Sequence, residues 1–213
     1  MKRVFYSFFA LAALCCLSFA VSCQGTAPES DAGASRVEKI LEHLHNPQSK
    51  YVIVVSHRGD WRDYPENSIP AIESVIRMGV DMVELDIAMT KDSVLVLSHD
   101  RTLDRCTNGK GRISEITYDS LQSFTLKSAH GGDFGYKLRI PTLREALEVC
   151  KDRILINIDK GYDYYDQVLA LTEELGVTHQ ILIKGGMPLA DVKKKMAAHK
   201  NNLLYMPIIT PAN

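Results

Sequence analysis

The chain has 213 residues, a length that suits one domain with short appendages. Hydrophobic residues make up 46% of it and charged residues 24%, a composition that excludes intrinsically disordered and collagen-like chains. The formal net charge of −1 gives no sequence-wide basic field, so we expect no nucleic-acid partner, and five cysteines do not make a disulfide scaffold.

The first residues of the chain are typical of a secretory signal rather than of a folded domain. Residues 1–3 (MKR) carry positive charge, and residues 4–20 are predominantly apolar. Residues 20–23 (AVSC) resemble a bacterial lipobox, with alanine where leucine is more usual. We therefore predict a lipoprotein signal peptide at 1–22, membrane anchoring through acyl chains on Cys23, and a location in the bacterial cell envelope, either periplasmic or at the surface. A membrane-spanning segment and a conventionally cleaved or uncleaved signal are the alternatives.

The segment after the signal has two parts. Residues 23–36 are small and polar without periodicity, which predicts a flexible tether. Apolar residues at helical spacing then predict a short amphipathic helix, which opens the domain that we predict over residues 37–213. We expect this helix to pack against the bottom of the domain. Its apolar residues are Val37, Ile40, Leu41 and Leu44.

Strands and helices alternate along the rest of the chain. Apolar runs predict the strands, and the stretches between them carry helical periodicity and capping signals, such as the capping box of Thr142 and Glu145. The first apolar run is continuous, which predicts a strand buried on both faces. The six predicted strands are residues 51–56, 82–88, 94–97, 154–158, 181–184 and 203–206.

Repeated βα units imply a parallel sheet with right-handed crossovers, either doubly wound or closed into a barrel. A (β/α)8 barrel takes roughly 250 residues, and this chain has room for fewer units. We therefore predict an α/β fold of the (β/α)8 TIM-barrel-like type with about six of the eight βα units present, and we interpret the chain as C-terminally truncated. An open sheet with two exposed edges is the alternative.

Polar residues gather where the predicted strands end, which is the edge of a parallel α/β sheet that carries chemistry. Such an accumulation at several strands predicts a single site at that edge. The residues are 56–60 (SHRGD) after the first strand, Glu84 and Asp86 within the second, 98–100 (SHD) after the third and 157–160 (NIDK) on the fourth.

Glu84 and Asp86 stand two residues apart on one strand, so they point to the same face and lie roughly 7 Å apart along the strand. Two carboxylates that face one interior are unfavourable unless a cation neutralises them. With Asp159 as a third carboxylate, these hard oxygen ligands predict one divalent cation, Mg²⁺ or Ca²⁺, rather than zinc. The alternative is an acid pair that arginines or backbone amides satisfy.

His57 and His99 end two different predicted strands, so they can flank one bound group. A histidine pair beside a metal suits general acid and general base catalysis near neutral pH. Arg58 is suited to bind a phosphate group through two hydrogen bonds. The alternative for Arg58 is a salt bridge to Asp60 or Asp86.

Taken together, these residues resemble the glycerophosphodiester phosphodiesterase family. An ordered series of motifs is far more specific than any one of its pieces, and this series runs from about residue 55 to residue 159. The matching segments are 57–59 (HRG), 65–68 (PENS), 79–86 (GVDMVELD), 90–92 (TKD), 99–109 (HDRTLDRCTNG) and 140–145 (IPTLRE).

The resemblance implies a TIM barrel that hydrolyses a small-molecule glycerophosphodiester to glycerol 3-phosphate and an alcohol. A divalent cation would polarise the phosphoryl oxygens and template the in-line displacement. The resemblance does not tell which histidine protonates the leaving group. The implied roles are general base and general acid for His57 and His99, cation ligands for Glu84, Asp86 and Asp159, and a phosphate contact for Arg58.

The sequence departs from the family pattern at the end of the fourth strand. Many members carry glutamate there and lysine two residues later, whereas here Asp159 is followed directly by Lys160. Neighbouring strand residues face opposite ways. Lys160 therefore binds substrate phosphate only if the backbone turns at this residue, and otherwise another cation such as Lys184 on the fifth strand fills the place. Aspartate is also one methylene shorter than glutamate, which bears on metal geometry and affinity.

Three functions stay open at this point. The first is a lipid-tethered, metal-dependent phosphodiesterase of the kind that the resemblance implies. The second is a cyclising phospholipase-type enzyme, which acts on lipid head groups and releases a cyclic phosphate. The third is a surface lipoprotein that binds phosphodiesters or glycans without turnover, although a binding protein needs no acid–base pair.

Overall fold

The structure is a computed structural model that describes residues 34–128, 137–199 and 203–209. The predicted signal peptide, Cys23 and the predicted tether up to residue 33 lie outside the described residues. In the described part of the chain, no helix is long and apolar enough to cross a membrane. The strands are β1 (Val55–His57), β2 (Met82–Met89), β3 (Leu95–Leu97), β4 (Leu155–Asp159), β5 (Ile181–Gly185) and β6 (Leu204–Pro207). The α-helices are α1 (Arg36–His45), α2 (Ile69–Arg77), α3 (Tyr118–Leu121), α4 (Leu143–Cys150), α5 (Tyr165–Leu175) and α6 (Leu189–His199).

Five of these strands form a parallel sheet in the order β1-β2-β4-β5-β6. The helices that connect them cover one side of the sheet, and the outward-facing residues of β2 illustrate the packing. Val83, Leu85 and Ile87 are fully buried in the main core with apolar residues of α2, α4 and α5. The period of two along β2 therefore sends these residues to the helices and sends Glu84 and Asp86 to the other face. The predicted α/β class is confirmed.

The third strand differs from the prediction, which placed it in the parallel series. β3 runs antiparallel to β2 and pairs with no other strand of the described residues, so five of the described strands, not six, are parallel. Parallel strands need a crossover of a dozen or more residues, whereas residues 90–94 only form a turn, in which the Thr90 amide donates to the Val94 carbonyl over 3.0 Å. The hairpin brings the end of β3 back to the site, because the Ser98 amide donates to the Asp86 carbonyl over 3.0 Å.

The first strand also differs from the prediction of a strand buried on both faces. Within the described part of the chain, β1 lies at one edge of the sheet and pairs only with β2. Val52 and Val54, which precede it, are 76% and 54% exposed. At the opposite edge, Ile209 after β6 is 81% exposed. An edge strand has a neighbour on one side only, so its apolar side chains are covered less than those of a central strand.

The helix ends follow the capping signals of the sequence. The Thr142–Glu145 capping box is present at the start of α4, and Cys150 at its end is fully buried in the core. α1 begins at Arg36 after a capping box of Ser35 and Glu38, one residue inside the predicted tether. The apolar face of α1 packs on residues at the beginning of β2 and β4, which confirms that this helix covers the bottom of the domain.

A glycine fixes the distance between the β1–α2 loop and helix α2. Gly59 has φ +74°, and a Cβ at this position would lie 2.9 Å from the backbone carbon of Ala71. We expect Gly59→Ala to lower the free energy of unfolding by about 1–2 kcal/mol for the left-handed backbone and by a further 1–3 kcal/mol, roughly, for the displaced helix. Gly79→Ala is the matched control, since Gly79 has φ +76° but nothing within 4 Å of its Cβ position.

Urea unfolding of the two variants separates these effects. The difference between Gly59→Ala and Gly79→Ala measures the close approach alone, because both substitutions place alanine in the same region of φ. Equal losses of stability in the two variants would show that helix α2 does not press on the loop that carries Arg58.

Candidate active site

Three carboxylates meet at the carboxyl ends of β2 and β4. Glu84 and Asp86 project from the same face of β2, and Asp86 pairs in register with Asp159 of β4. One oxygen of each carboxylate lies within 4.8 Å of an oxygen of the other two. Glu84 and Asp86 are 4% and 0% exposed. This spacing is short enough for all three side chains to contact one ion.

Several buried oxygens at this place have no hydrogen-bond partner among the described residues. They include one oxygen of Glu84, one of Asp86 and the side-chain oxygen of Asn157, which pairs in register with Glu84. Buried polar atoms are nearly always hydrogen-bonded, because an unpartnered one loses its hydration without compensation. The donor set therefore fits a cation that prefers oxygen ligands. Asn157 is a site residue to which the sequence analysis gave no role.

Two basic side chains already contact the carboxylates. Lys184 Nζ lies 3.3 Å from Asp159 Oδ1 and 3.6 Å from Glu84 Oε1. Arg58 Nε lies 3.1 Å from Asp86 Oδ2, without the alignment of a hydrogen bond. The predicted alternative of a salt bridge between Arg58 and Asp86 is thus present. Burial and, after it, the charge of Asp86 nevertheless raise the pKa of Glu84 above its ordinary value despite the nearby Lys184.

Arg58 is held by a turn in which the backbone has unusual angles. Its φ is +57°, its amide donates to the Glu84 carbonyl over 2.9 Å, and its carbonyl accepts from the Asn67 amide over 3.0 Å. The Asn67 side chain in turn donates to Asp86 Oδ2 over 3.0 Å and accepts from the Asp86 amide over 3.1 Å. Asn67, 2% exposed, therefore fixes the Asp86 carboxylate. It lies in the motif 65–68, but the sequence analysis assigned it no role.

The two predicted histidines reach the site from different elements. His57 ends β1 beside Glu84, with its Nε2 3.8 Å from Glu84 Oε2, and its side chain is 62% exposed. His99 follows β3, which the hairpin returns to the level of Asp86. His99 Nδ1 lies 2.6 Å from Asp100 Oδ1, and the His99 side chain is 41% exposed. Both rings are therefore accessible to solvent, His57 more than His99.

Lys160 lies at a turn rather than on a continuing strand. Its φ is +60°, and its amide donates to Asp159 Oδ1 over 3.0 Å. The turn directs Lys160 Nζ toward the carbonyl of His99, to which it donates a hydrogen bond. The backbone thus turns at Lys160, and Lys184 contacts two of the carboxylates, while the choice between the two lysines as phosphate ligand stays a prediction.

A second group of charges lies behind His99. Arg105 hydrogen-bonds with both Asp100 and Glu66. Its bond to Asp100, together with the bond from His99, lowers the pKa of Asp100 to about 2. Burial raises the pKa of Glu66, but Arg105 and Arg58 together outweigh burial and lower it. Burial next to Glu66 raises the pKa of Cys106 to about 12, which leaves this thiol protonated and a poor nucleophile. No individual role was predicted from the sequence for Glu66, Asp100 or Arg105.

The chain is similar to proteins of one family throughout this region. The family model described as the glycerophosphoryl diester phosphodiesterase family matches residues 57–201. A glycerophosphodiester phosphodiesterase of Caldanaerobacter subterraneus is 36% identical over 163 residues, which are 72% of this chain and 66% of that protein. Glycerophosphodiester phosphodiesterase 1 of Rattus norvegicus is 42% identical over 101 residues, which are 46% of this chain and 30% of that protein.

Solved structures share the fold. A glycerophosphoryl diester phosphodiesterase of Parabacteroides distasonis is 28% identical with a TM-score of 0.71, and the match covers 82% of this chain and 60% of that one. A phosphodiesterase of Oleispira antarctica, in complex with the product sn-glycerol-3-phosphate, is 26% identical with a TM-score of 0.59, over 76% of this chain and 68% of that one. The prediction of a partial TIM-barrel-like fold is confirmed by these similarities.

Proposed function

Because the chain belongs to the glycerophosphoryl diester phosphodiesterase family, we propose that it hydrolyses glycerophosphodiesters to glycerol 3-phosphate and an alcohol. The observation that carries this proposal is the cluster of three carboxylates, two of them with an unpartnered buried oxygen, near an exposed and a half-buried histidine. The structure of the Oleispira antarctica relative with sn-glycerol-3-phosphate supports the product class.

We propose that Glu84, Asp86 and Asp159 hold one divalent cation, Mg²⁺ or Ca²⁺. The all-oxygen donor set supports this choice, since both cations prefer oxygen ligands. A bound cation would compensate the unpartnered oxygens of Glu84 and Asp86 for the hydration that they lose on burial. When bound there, the cation supplies Lewis-acid polarisation of the phosphoryl oxygens.

The histidines are proposed to move the protons. One of His57 and His99 removes a proton from the attacking water, and the other donates a proton to the departing alcohol oxygen. The bond from His99 Nδ1 to Asp100 leaves Nε2 as the ring nitrogen that faces the substrate. His57 lies beside Glu84 at the other side of the carboxylate group.

Arg58 and Lys160 are proposed to bind the substrate phosphate. Arg58 uses one terminal nitrogen for Glu66 over 3.0 Å, and its guanidinium carries five N–H donors in all, so donors are left for a phosphate oxygen. Lys160 is placed by its turn at the carbonyl of His99, next to one of the proposed proton carriers.

We further propose that the protein is an exported lipoprotein that Cys23 anchors to a membrane of the cell envelope. The support for this proposal is the sequence of residues 1–23 alone. Metabolic labelling with a radioactive fatty acid tests it: we expect label on the wild-type protein and none on Cys23→Ala. Equal labelling of the two proteins would contradict the anchor.

The products of the reaction test the proposed activity. We expect ³¹P NMR of the full chain with glycerophosphocholine and excess Mg²⁺ or Ca²⁺ to show the phosphodiester signal replaced by that of glycerol 3-phosphate. A cyclic phosphate would instead identify a cyclising phospholipase-type reaction. Binding of the diester without any product would identify a non-catalytic binding protein.

A further inference from the structure

Arg105 donates hydrogen bonds to two carboxylates at once. Its Nε and Nη2 donate to Asp100 over 2.8 and 3.1 Å, and its Nη1 and Nη2 donate to Glu66 over 2.9 and 2.8 Å. Each carboxylate thus receives two hydrogen bonds from one planar guanidinium. Charge-assisted bonds of this two-pronged kind fix the plane and the position of the carboxylate as well as its charge.

The first carboxylate orients His99. Asp100 Oδ1 accepts from His99 Nδ1 over 2.6 Å, and the same oxygen accepts from Arg105. With its pKa lowered to about 2, Asp100 is ionised and can only accept, so the Nδ1 atom carries the proton. The lone pair of the neutral ring then lies on Nε2, away from Asp100. Arg105 keeps Asp100 in the position that selects this tautomer.

The second carboxylate holds the phosphate-binding arginine. Glu66 is 7% exposed, and it accepts from Arg58 Nη1 over 3.0 Å in addition to the bonds from Arg105. Arg58 continues to Asp86, 3.1 Å away. A continuous series of contacts therefore joins His99 to Asp86, one of the three proposed cation ligands, and Arg105 lies in the middle of the series.

We propose that Arg105 is a positioning residue, which sets the tautomer and direction of His99 through Asp100 and the position of Arg58 through Glu66. The proposal rests on the proposed function in that it assigns Arg105 to the proton transfer and phosphate binding described above. Among the described residues, the ion pairs of Arg105 are with Glu66 and Asp100 and not with Glu84, Asp86 or Asp159.

The shape of the guanidinium matters here as much as its charge. Lysine carries a single point of charge and cannot donate two parallel bonds to each of two carboxylates. Arg105→Lys should therefore keep the charge and lose part of the alignment, whereas Arg105→Gln loses both. Arg144 is a matched control: it pairs with Glu174 over 2.6 Å at a similar exposure, 43% against 45% for Arg105, and lies outside this network.

Kinetics give the first test. We expect Arg105→Gln to lower kcat for glycerophosphocholine about 10- to 100-fold. Losses of this size are usual when a group that orients the ligands of a metal is removed. Arg105→Lys should fall between Arg105→Gln and the wild type, and Arg144→Gln should match the wild type. A kcat of Arg105→Gln within twofold of that of Arg144→Gln would overturn the proposal.

The tautomer of His99 gives a second test that needs no turnover. In ¹⁵N spectra at alkaline pH, we expect the wild-type ring to carry its proton on Nδ1 and the Arg105→Gln ring to shift toward protonation on Nε2. An unchanged tautomer would overturn the proposal even if the activity falls. If the wild type hydrolyses no diester, the proposed function fails while this spectrum still decides the role of Arg105. If Arg105→Gln does not fold, Arg105→Lys decides by the same spectrum and by its kcat.

Discussion

Replacing His99 by glutamine is expected to lower kcat for a glycerophosphodiester by about 10²–10⁴-fold, the usual contribution of a positioned general acid or base. Glutamine keeps a polar side chain of similar length but cannot exchange a proton near neutral pH. The Asp100 carboxylate, which accepts from His99 Nδ1 over 2.6 Å, would lose only one of its hydrogen bonds. The fold should therefore survive, and the loss should appear in turnover.

His57→Gln is expected to show a loss of the same order, and the comparison of the two variants separates their roles. With a diester whose leaving group needs no protonation, such as a nitrophenyl ester, the variant that lacks the general acid should regain activity. The variant that lacks the general base should not. His45→Gln is the control, because His45 ends helix α1 at the bottom of the domain, away from the site. Activity of His57→Gln or His99→Gln equal to that of His45→Gln would contradict acid–base catalysis by these residues.

Replacing Asp86 by asparagine is expected to abolish the stabilisation of the chain by divalent cations. A cation that binds only the folded state adds about 2.7 kcal/mol at a concentration of 100 times Kd. For a chain of this size, that gain corresponds to a rise in Tm of roughly 5–11 °C. Asparagine keeps an oxygen that can accept from Asn67, as Asp86 Oδ2 does, but removes the charge that attracts the ion.

The matched control for this substitution is Asp81→Asn. Asp81 is another buried carboxylate, 2% exposed, directly before β2 at the opposite end from the site, where it accepts from Arg36 and Tyr51. Its substitution should lower Tm in EDTA yet leave the cation-induced rise intact. Thermal unfolding of the three proteins with EDTA and with excess Mg²⁺ or Ca²⁺ measures both effects. A full cation-induced rise in Asp86→Asn would contradict the proposed ligand set.

The clustering of the three carboxylates was largely predictable from the sequence, because it depends on local geometry. Alternation along one strand places Glu84 and Asp86 on the same face whatever the rest of the fold does. Asp159 joins them because parallel strands end at the same edge of the sheet, and the register of β2 and β4 pairs it with Asp86. Lys184 also lies near the three carboxylates, since its strand neighbours β4 and its Nζ reaches Asp159, but its role in place of the expected lysine stays a prediction.

The prediction for His99 rested on a topology that is wrong. The prediction placed it at the end of a parallel strand, whereas β3 is the returning arm of a hairpin. The five-residue connection from Met89 to Leu95 was the available signal, because no crossover fits into it. The hairpin still delivers His99 to the site, since Leu97 pairs with Ile87, one residue beyond Asp86.

The residues that the sequence analysis missed act through side-chain hydrogen bonds between distant segments. Asn67 binds Asp86 from 19 residues away, and Arg105 binds Glu66 from 39 residues away. Periodicity tells which way a side chain points from its own element, but not which loop meets it. The partners of Arg105 become evident only when the loop after β3 and the loop before α2 lie side by side.

The release of glycerol 3-phosphate with and without a divalent cation tests the central claim most directly. The full chain is assayed with glycerophosphocholine in excess Mg²⁺ or Ca²⁺, then in EDTA, and again after the cation is restored. We expect release in the presence of cation, loss of release to the background rate in EDTA, and recovery when the cation returns. The same rate in EDTA as in cation, or no release under any of these conditions, would contradict a metal-dependent phosphodiesterase at Glu84, Asp86 and Asp159.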